Sequence, residues 1–231
     1  MAPRLRWPRH VPQGPHALLL PARSVAPHAH PPRVTRWKTD RLSVAAYDYG
    51  VHNPFISRVV ARLLWNYDIR HLHQAIAAQD PSALTLDVPC GGGIAVRDNP
   101  RHVGVDLSWT MLTRARRKTK PLLQADIYAL PFRDSTFDAC VTYNGLHCLP
   151  DPARAITELT RVLRPGGTLR GTTLVRKTTR RTEALYTFMH RQGVFGPSGT
   201  LTDLHTWLTQ AGLSDIHLTP NGAVTGFTAR K

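Results

Sequence analysis

The sequence predicts an α/β fold in which helices cover both faces of a mostly parallel sheet. Three observations support this prediction: from residue 84 onward short apolar runs alternate with helical patterns, a glycine-rich turn follows the first run, and acidic residues follow the next two. With 231 residues, 42% of them hydrophobic, the chain can bury a sizeable core, and wholesale disorder is excluded. Its apolar runs fall far short of the ~20 residues that a membrane-spanning helix needs.

Residues 1–39 are predicted to form a basic, disordered tail. Residues 1–38 contain six Arg, one Lys, eight Pro and no acidic residue, a composition that buries little apolar surface. Without these seven cations the formal net charge falls from +15 to +8, so the remaining chain is only moderately basic. The sequence leaves open three explanations for this leader: a disordered tail, a mitochondrial transit peptide or a start codon placed too early. A transit peptide would be richer in Ser.

Cysteine usage favours a reducing, cytoplasmic environment, with a mitochondrial location as the alternative if the leader is a transit peptide. Cys90, Cys140 and Cys148 contain no CxxC pair, so neither a disulfide scaffold nor a zinc module is indicated. We interpret these cysteines as small packing residues. The twelve histidines give no ligand set either, and no metal site is predicted.

Helices and strands can be placed in order along the rest of the chain. Residues 40–82 are interpreted as a helical N-terminal cap, because Asn53-Pro54 has the pattern of a helix start and 71–78 indicates a second helix. Five strands are expected after it, at 84–88, 103–105, 122–123, 139–141 and 168–175. Further helices are expected from Ser108, from Asp151-Pro152 to the RPGG turn at 164–167, at 182–191 and at 201–211. Segments 216–218 and 223–228 predict a terminal hairpin about Asn221-Gly222.

The residues that carry chemistry follow the predicted strands. LDVPCGGG at 86–93 ends the first strand with three glycines, which let a ligand lie against bare backbone. Asp106 ends the second strand, where a carboxylate can accept both hydroxyls of a ribose. Asp126 ends the third, where it could accept a hydrogen bond from the amine of adenine. Because ligands of open α/β sheets bind beyond the carboxyl ends of the strands, the three features together predict a nucleoside site.

A nicotinamide dinucleotide fits this pattern less well. Its fingerprint requires a third, separated glycine and a pyrophosphate at a helix N-terminus. Here the glycines are contiguous, and only 12 residues run from Gly91 to His102, interrupted by Pro100. Because this is near the minimum for a parallel crossover, the first helix is expected to be short.

These motifs, in this order and spacing, resemble those of class I S-adenosylmethionine-dependent methyltransferases of the small type 11 kind. The resemblance covers about residues 44–231 and includes VGVDLS (103–108), QADIYALPF (124–132), FDACVTYNGLHCLPDP (137–152) and RVLRPGG (161–167). It implies a Rossmann-like three-layer sandwich with a seven-stranded, mostly parallel sheet whose last strand is antiparallel. Residues 83–231 would form the cofactor-binding domain, and the cofactor would be S-adenosyl-L-methionine.

The resemblance also implies roles for individual residues. Asp87 and the glycines would line the methionine part of the cofactor, Asp106 would hold the ribose, Asp126 and Ile127 the adenine, and Tyr143-Asn144 would lie beside the amino-acid end. Pro89 departs from the small or polar residue common in this family. The full set expected at the cofactor is Asp87, Pro89, Cys90, Gly91, Gly93, Asp106, Leu107, Asp126, Ile127, Tyr143 and Asn144.

An acceptor pocket and one catalytic residue are predicted with them. Methyl transfer from a sulfonium needs mainly alignment and exclusion of water, but a hydroxyl acceptor would call for a base. His147, after the fourth strand, is the candidate, and packing or capping is its ordinary alternative. The residues expected to line the acceptor pocket are Tyr47, Tyr49, His147, Phe188 and Phe195; the aromatic ones are equally suited to core positions.

The leading hypothesis is an enzyme that methylates O, N or C of a small molecule. Methylation of RNA or DNA is the alternative, favoured by the net charge and by a basic stripe at 114–120, but the strand-four loop lacks the Asn-Pro-Pro-Tyr of base-amino methylases. A cofactor-binding protein without transferase activity, such as an assembly factor or a cyclase, is the third class. No oligomeric state is predicted.

Overall fold

The computed structural model describes residues 54–95, 99–116 and 121–231, which form a seven-stranded sheet flanked by helices. The strands are β1 (Thr85–Asp87), β2 (His102–Asp106), β3 (Leu122–Gln124), β4 (Phe137–Tyr143), β5 (Leu163–Leu174), β6 (Ser214–Asn221) and β7 (Val224–Arg230). Their order across the sheet is β3-β2-β1-β4-β5-β7-β6. β1 to β5 are parallel, and β7 runs antiparallel to both β5 and β6. The predicted parallel sheet with a terminal antiparallel hairpin is confirmed.

Two layers of helices cover the sheet. The helices are α1 (Pro54–Trp65), α2 (Arg70–Ala77), α3 (Trp109–Ala115), α4 (Pro152–Val162), α5 (Arg180–Arg191) and α6 (Leu201–Gln210). On one face Ile156 of α4 and Leu204 of α6 join a core with Leu86, Phe137 and Cys140. On the other, Leu72 of α2 and Tyr186 of α5 pack with Val141 and Leu174. Each sheet face is thus apolar, as a three-layer sandwich requires.

Several helix ends follow from local sequence as predicted. Asp151 caps α4 by accepting the N–H of Arg154 at 3.0 Å, and Pro152 occupies the first turn. Ser108 caps α3 in the same way, accepting the N–H of Met111 at 3.4 Å. Within the described ranges, every helix is too short or too polar to cross a bilayer.

Two predicted boundaries are wrong. Residues 88–95 and 99–101, the described part of the first crossover, form turns instead of a short helix, because so few residues must return the chain to a parallel strand. The RPGG sequence at 164–167 does not separate α4 from β5, because the strand already starts at Leu163 and includes these residues. The pairing of β4 with β5 changes register there, and Gly166 adopts φ +74°. The division into tail, cap and binding domain stays a prediction, because residues 1–53 lie outside the described part.

Candidate functional site

The parallel register brings the predicted strand-end residues to one edge of the sheet. Asp87 of β1 lies opposite Gly104 of β2, and Asp106 of β2 lies opposite Gln124 of β3. The turn at 88–95 leaves β1 at this same edge. Asp106, at the end of β2, therefore lies beside the glycine turn, and Asp126, two residues after β3, lies at the same edge of the sheet.

Asp106 joins the end of β2 to the glycine turn. One carboxylate oxygen accepts the N–H of Gly91 at 2.9 Å, and the other accepts the N–H of Ser108 at 2.8 Å. The side chain is buried, and burial raises the pKa of this carboxyl to about 6 although both backbone hydrogen bonds act to lower it. Since a carboxylate offers about four acceptor positions, Asp106 can still accept hydrogen bonds from a ligand.

The glycine turn presents bare backbone. Gly91 has φ +54°, and a Cβ atom added there would have no heavy atom within 4 Å. Gly93 also lies in the left-handed region, with φ +78°. A side chain at Gly91 would therefore be strained and would occupy open space next to Asp106. A ligand can therefore approach the backbone at Gly91 without meeting a side chain.

Neighbouring side chains fix the turn from below. The Cys90 side chain is buried against Leu112 and Leu122, and this burial raises the pKa of the thiol. The backbone N–H of Cys90 donates a hydrogen bond to the Val105 carbonyl at 2.8 Å. The Cys90 carbonyl accepts the N–H of Gly93 at 2.9 Å, so the side chain and the backbone of Cys90 both hold the turn in place. Pro89 packs against Gly145, where an added Cβ would lie 2.5 Å from the Cγ and Cδ atoms of the proline ring.

Asp87 is held by a residue that sequence reasoning did not single out. Both Asp87 and His102 are buried, and the His102 Nε2 lies 3.5 Å from the Asp87 Oδ2. Burial raises the pKa of Asp87, and the contact with His102 opposes that rise. In the sequence, only the position of His102 could have indicated this contact, because His102 begins β2, the strand that pairs with β1.

The end of β3 combines an accessible carboxylate with a buried apolar side chain. Asp126 is half-buried and accepts the N–H of Tyr128 at 3.0 Å. Ile127 instead belongs to the core, so its side chain is not available to a ligand. Leu107 and Trp109, next to Asp106, are exposed by 40% and 52%. Trp109 is a second residue that the sequence did not single out.

Tyr143, the last residue of β4, and the following Asn144 both form side-chain hydrogen bonds within the protein. The Tyr143 hydroxyl accepts a hydrogen bond from Gln79 at 3.1 Å and donates to the carbonyl of Ala75 in α2 at 3.3 Å. Asn144 adopts φ +54°, its N–H donates to the Thr172 carbonyl at 2.8 Å, and its Oδ1 accepts the Thr172 hydroxyl at 3.0 Å. They shape the edge of the sheet near the glycine turn, with side chains held by α2 and β5.

His147 does not have the geometry of a general base. Its ring is buried in the turn after β4, and its Nδ1 accepts the Leu174 N–H at 3.3 Å. Burial lowers the pKa of His147 to about 3, so the ring is neutral. A neutral imidazole whose Nδ1 accepts a hydrogen bond carries its proton on Nε2 and has no free lone pair for an acceptor's proton. This geometry favours the packing alternative for His147, and its catalytic role stays a prediction.

We expect His147→Ala to lower the free energy of unfolding by about 2–3 kcal/mol, since it removes a buried ring and leaves the Leu174 N–H unpaired. His147→Asn keeps an acceptor and should lose less. Both should bind S-adenosylmethionine like wild type, as measured by denaturant titration and calorimetry. A His147→Asn protein that is stable and binds cofactor, but loses a pH-dependent step of methyl transfer, would restore the base assignment.

The predicted acceptor pocket is not assembled by the described residues. Phe195 is buried in the core, with its ring centroid 4.9 Å from that of His147 and 5.8 Å from that of Trp65. Phe188 is 57% exposed on α5, so it does not line a pocket with Phe195. Tyr47 and Tyr49 lie outside the described residues. No group of three or more potential metal ligands occurs in the described ranges.

Comparison with known proteins gives matches that agree with this geometry. Residues 86–170 match the model of a family described as a methyltransferase domain. An uncharacterized protein from a Streptomyces fradiae transposon is 39% identical over 101 residues, which cover 38% of this chain and 29% of that protein. Demethylmenaquinone methyltransferase from Corynebacterium kroppenstedtii is 36% identical over 93 residues, covering 38% of this chain and 41% of the enzyme. The chain thus matches less than half the length of these relatives.

The fold also matches solved structures. A crystal structure of an S-adenosylmethionine-dependent methyltransferase from Thermotoga maritima superposes with a TM-score of 0.61, covering 79% of this chain and 98% of that chain. The sequence identity is 17%, so this likeness concerns the fold.

Proposed function

We propose that this chain, which carries a class I S-adenosylmethionine-dependent methyltransferase domain, transfers the cofactor's methyl group to a small-molecule acceptor. The observation that carries the proposal is the buried carboxylate of Asp106, bound to the N–H of Gly91 at 2.9 Å beside a turn open enough to admit a ligand. A buried acid with a raised pKa at a strand end supports a binding site, because such pKa shifts are concentrated at functional sites.

Individual residues have distinct roles in this proposal. When bound, S-adenosylmethionine supplies a sulfonium methyl group that a nucleophile can displace. Asp106 would accept the ribose hydroxyls, the backbone at Gly91 would lie against the methionine part, and Asp126 would accept the adenine amine. Leu107 would offer exposed apolar surface to the adenine ring. The chain would contribute mainly by aligning the acceptor and excluding water, so no obligatory base is required.

The acceptor class rests on two supports. Demethylmenaquinone methyltransferases, among the relatives, are named for a small apolar molecule. The segment after β4 begins Asn144-Gly145 and lacks the Asn-Pro-Pro-Tyr motif of base-amino methylases. Both favour a small molecule over a nucleic acid.

The test is transfer of labelled methyl groups from S-adenosylmethionine into an extract of the source organism. We expect label in the small-molecule fraction with the wild-type chain, and none with Asp106→Ala. Label confined to RNA, DNA or protein would contradict the acceptor class. Cofactor binding without any transfer would contradict transferase activity and favour a cofactor-binding non-transferase.

A further inference from the structure

The exposed large apolar side chains of the described residues are concentrated on α1, and one more lies on α5. Seven large hydrophobic residues of the described ranges are exposed, and five of these lie on α1 and α5. Leu63 of α1 and Phe188 of α5 are the most exposed, at 58% and 57%. The others are Val59, Val60 and Leu64 of α1. Ser57 and Ala61 are buried one helical turn apart, so α1 packs its small residues inward and its large apolar residues outward.

The exposed faces of α1 and α5 form one surface. The Arg181 guanidinium at the start of α5 donates a hydrogen bond to the carbonyl of Leu63. Beneath this contact, Phe195 lies between Trp65 of α1 and Tyr186 of α5, with ring centroids 5.8 Å and 5.9 Å away. Phe188 follows Arg181 by seven residues and so lies on the same side of α5. We call this region the α1–α5 surface.

The α1–α5 surface is strongly basic. Within α1 and residues 176–191, Glu183 is the one acidic residue. Its carboxylate accepts hydrogen bonds from the Arg176 guanidinium at 3.0 Å and 2.5 Å and from the Lys177 N–H at 2.9 Å. The exposed cations around the apolar residues are Arg58, Arg62, Lys177, Arg180, Arg181 and Arg191. Asp203 of α6 also interacts with Lys177 and Arg176, so the net positive charge of the surface is carried mainly by Arg58, Arg62, Arg180, Arg181 and Arg191.

We propose that the α1–α5 surface docks onto an anionic lipid bilayer. Apolar side chains on a helix that lies in the interface enter the boundary between headgroups and acyl chains, while arginines contact lipid phosphates. A nucleic acid would use the arginines but leave Leu63 and Phe188 exposed, whereas a lipid surface accommodates both sets. With 12 residues each, α1 and α5 lie on such a surface and do not span it. The docking does not depend on the identity of the methyl acceptor.

The experiment is co-sedimentation of the full chain with vesicles of phosphatidylcholine containing phosphatidylglycerol, and with vesicles of phosphatidylcholine alone. We expect binding to the anionic vesicles, weakened by salt. Arg180→Ser/Arg191→Ser should weaken it about tenfold, because each arginine near an anionic surface contributes separately. Leu63→Ser/Phe188→Ser should weaken it by a similar factor. Arg133→Ser/Arg230→Ser removes the same charge from exposed positions elsewhere and should bind like wild type.

The outcomes separate the proposal from its alternatives. Because all variants keep the basic residues 1–38, equal binding of wild type and both surface variants would overturn the proposal. RNA binding that is lost in Arg180→Ser/Arg191→Ser but unchanged in Leu63→Ser/Phe188→Ser, together with unchanged vesicle binding, would assign the surface to nucleic acid and also overturn it. Cofactor affinity, measured in the same samples, should be unchanged in every variant; this readout reports separately on the proposed function.

Discussion

Replacing Asp106 with Ala is expected to weaken S-adenosylmethionine binding by about a hundredfold or more. A hydrogen bond to a charged group contributes roughly 1.5–3 kcal/mol, and the ribose offers two hydroxyls to this carboxylate. The variant also leaves the N–H groups of Gly91 and Ser108 without the oxygens that hold them at 2.9 Å and 2.8 Å. Calorimetric titration of the full chain measures the loss.

Asp106→Asn separates the charge from the shape of the turn, since it keeps one acceptor oxygen. Asp215→Asn is the matched control, because Asp215 is exposed on β6 at the opposite edge of the sheet. We expect Asp106→Asn to bind at least about tenfold more weakly than wild type, and Asp215→Asn to bind equally well. Equal affinities of the two Asn variants would refute the ribose assignment.

The pKa of Asp106, about 6, gives two pH dependences of opposite sign. The ligand binds the carboxylate, so affinity should fall as the pH drops below 6. The stability of the free protein should have the opposite pH dependence. Because the folded state favours the neutral acid, raising the pH from about 3 to about 7 should lower the free energy of unfolding by up to ~3 kcal/mol through this group. Asp106→Asn should lose both dependences.

The strand-end acids could be predicted because each is marked by a simple pattern. An apolar run defines a buried strand, and the first acid after it must lie at the carboxyl edge of a parallel sheet. Asp106 and Asp126 are found this way without knowledge of any side-chain direction. After residue 84, short continuous apolar runs alternate with helical patterns. This pattern likewise predicts parallel strands, because a strand that is covered by helices on both faces is apolar along its length.

The directions of individual side chains at the site could not be predicted, because they depend on packing and on long-range pairing. Whether His147 points to solvent or to the Leu174 N–H depends on a strand 27 residues further along the chain. The family resemblance implies Ile127 at the adenine, and Phe195 is expected in the acceptor pocket, but the structure packs both side chains in apolar cores. The contact between His102 and Asp87 could not be predicted, because it forms only when β1 and β2 pair.

Replacing Gly145 with Ala is expected to damage the cofactor site, although Gly145 itself is not among the residues expected to contact the cofactor. The new Cβ would lie 2.5 Å from Cγ and Cδ of Pro89 and 3.2 Å from Oγ1 of Thr142. A proline ring cannot rotate away, so the cofactor turn must move relative to the end of β4. Overpacking of this kind costs roughly 1–3 kcal/mol, and we expect the upper end of that range. Because the turn carries Gly91, S-adenosylmethionine affinity should also fall by at least about tenfold.

A double-mutant cycle identifies the contact. Pro89→Ala removes the ring atoms that the new methyl group would meet, so in the Gly145→Ala background it should restore part of both stability and affinity. Gly212→Ala is the control: its φ of +83° makes it strained, yet an added Cβ would meet no heavy atom within 4 Å, and it lies after α6, away from the turn. It should lower stability by about 1–2 kcal/mol and leave affinity unchanged. Additive effects of Gly145→Ala and Pro89→Ala would show that the two residues do not press on each other, and that the position of the turn is set elsewhere.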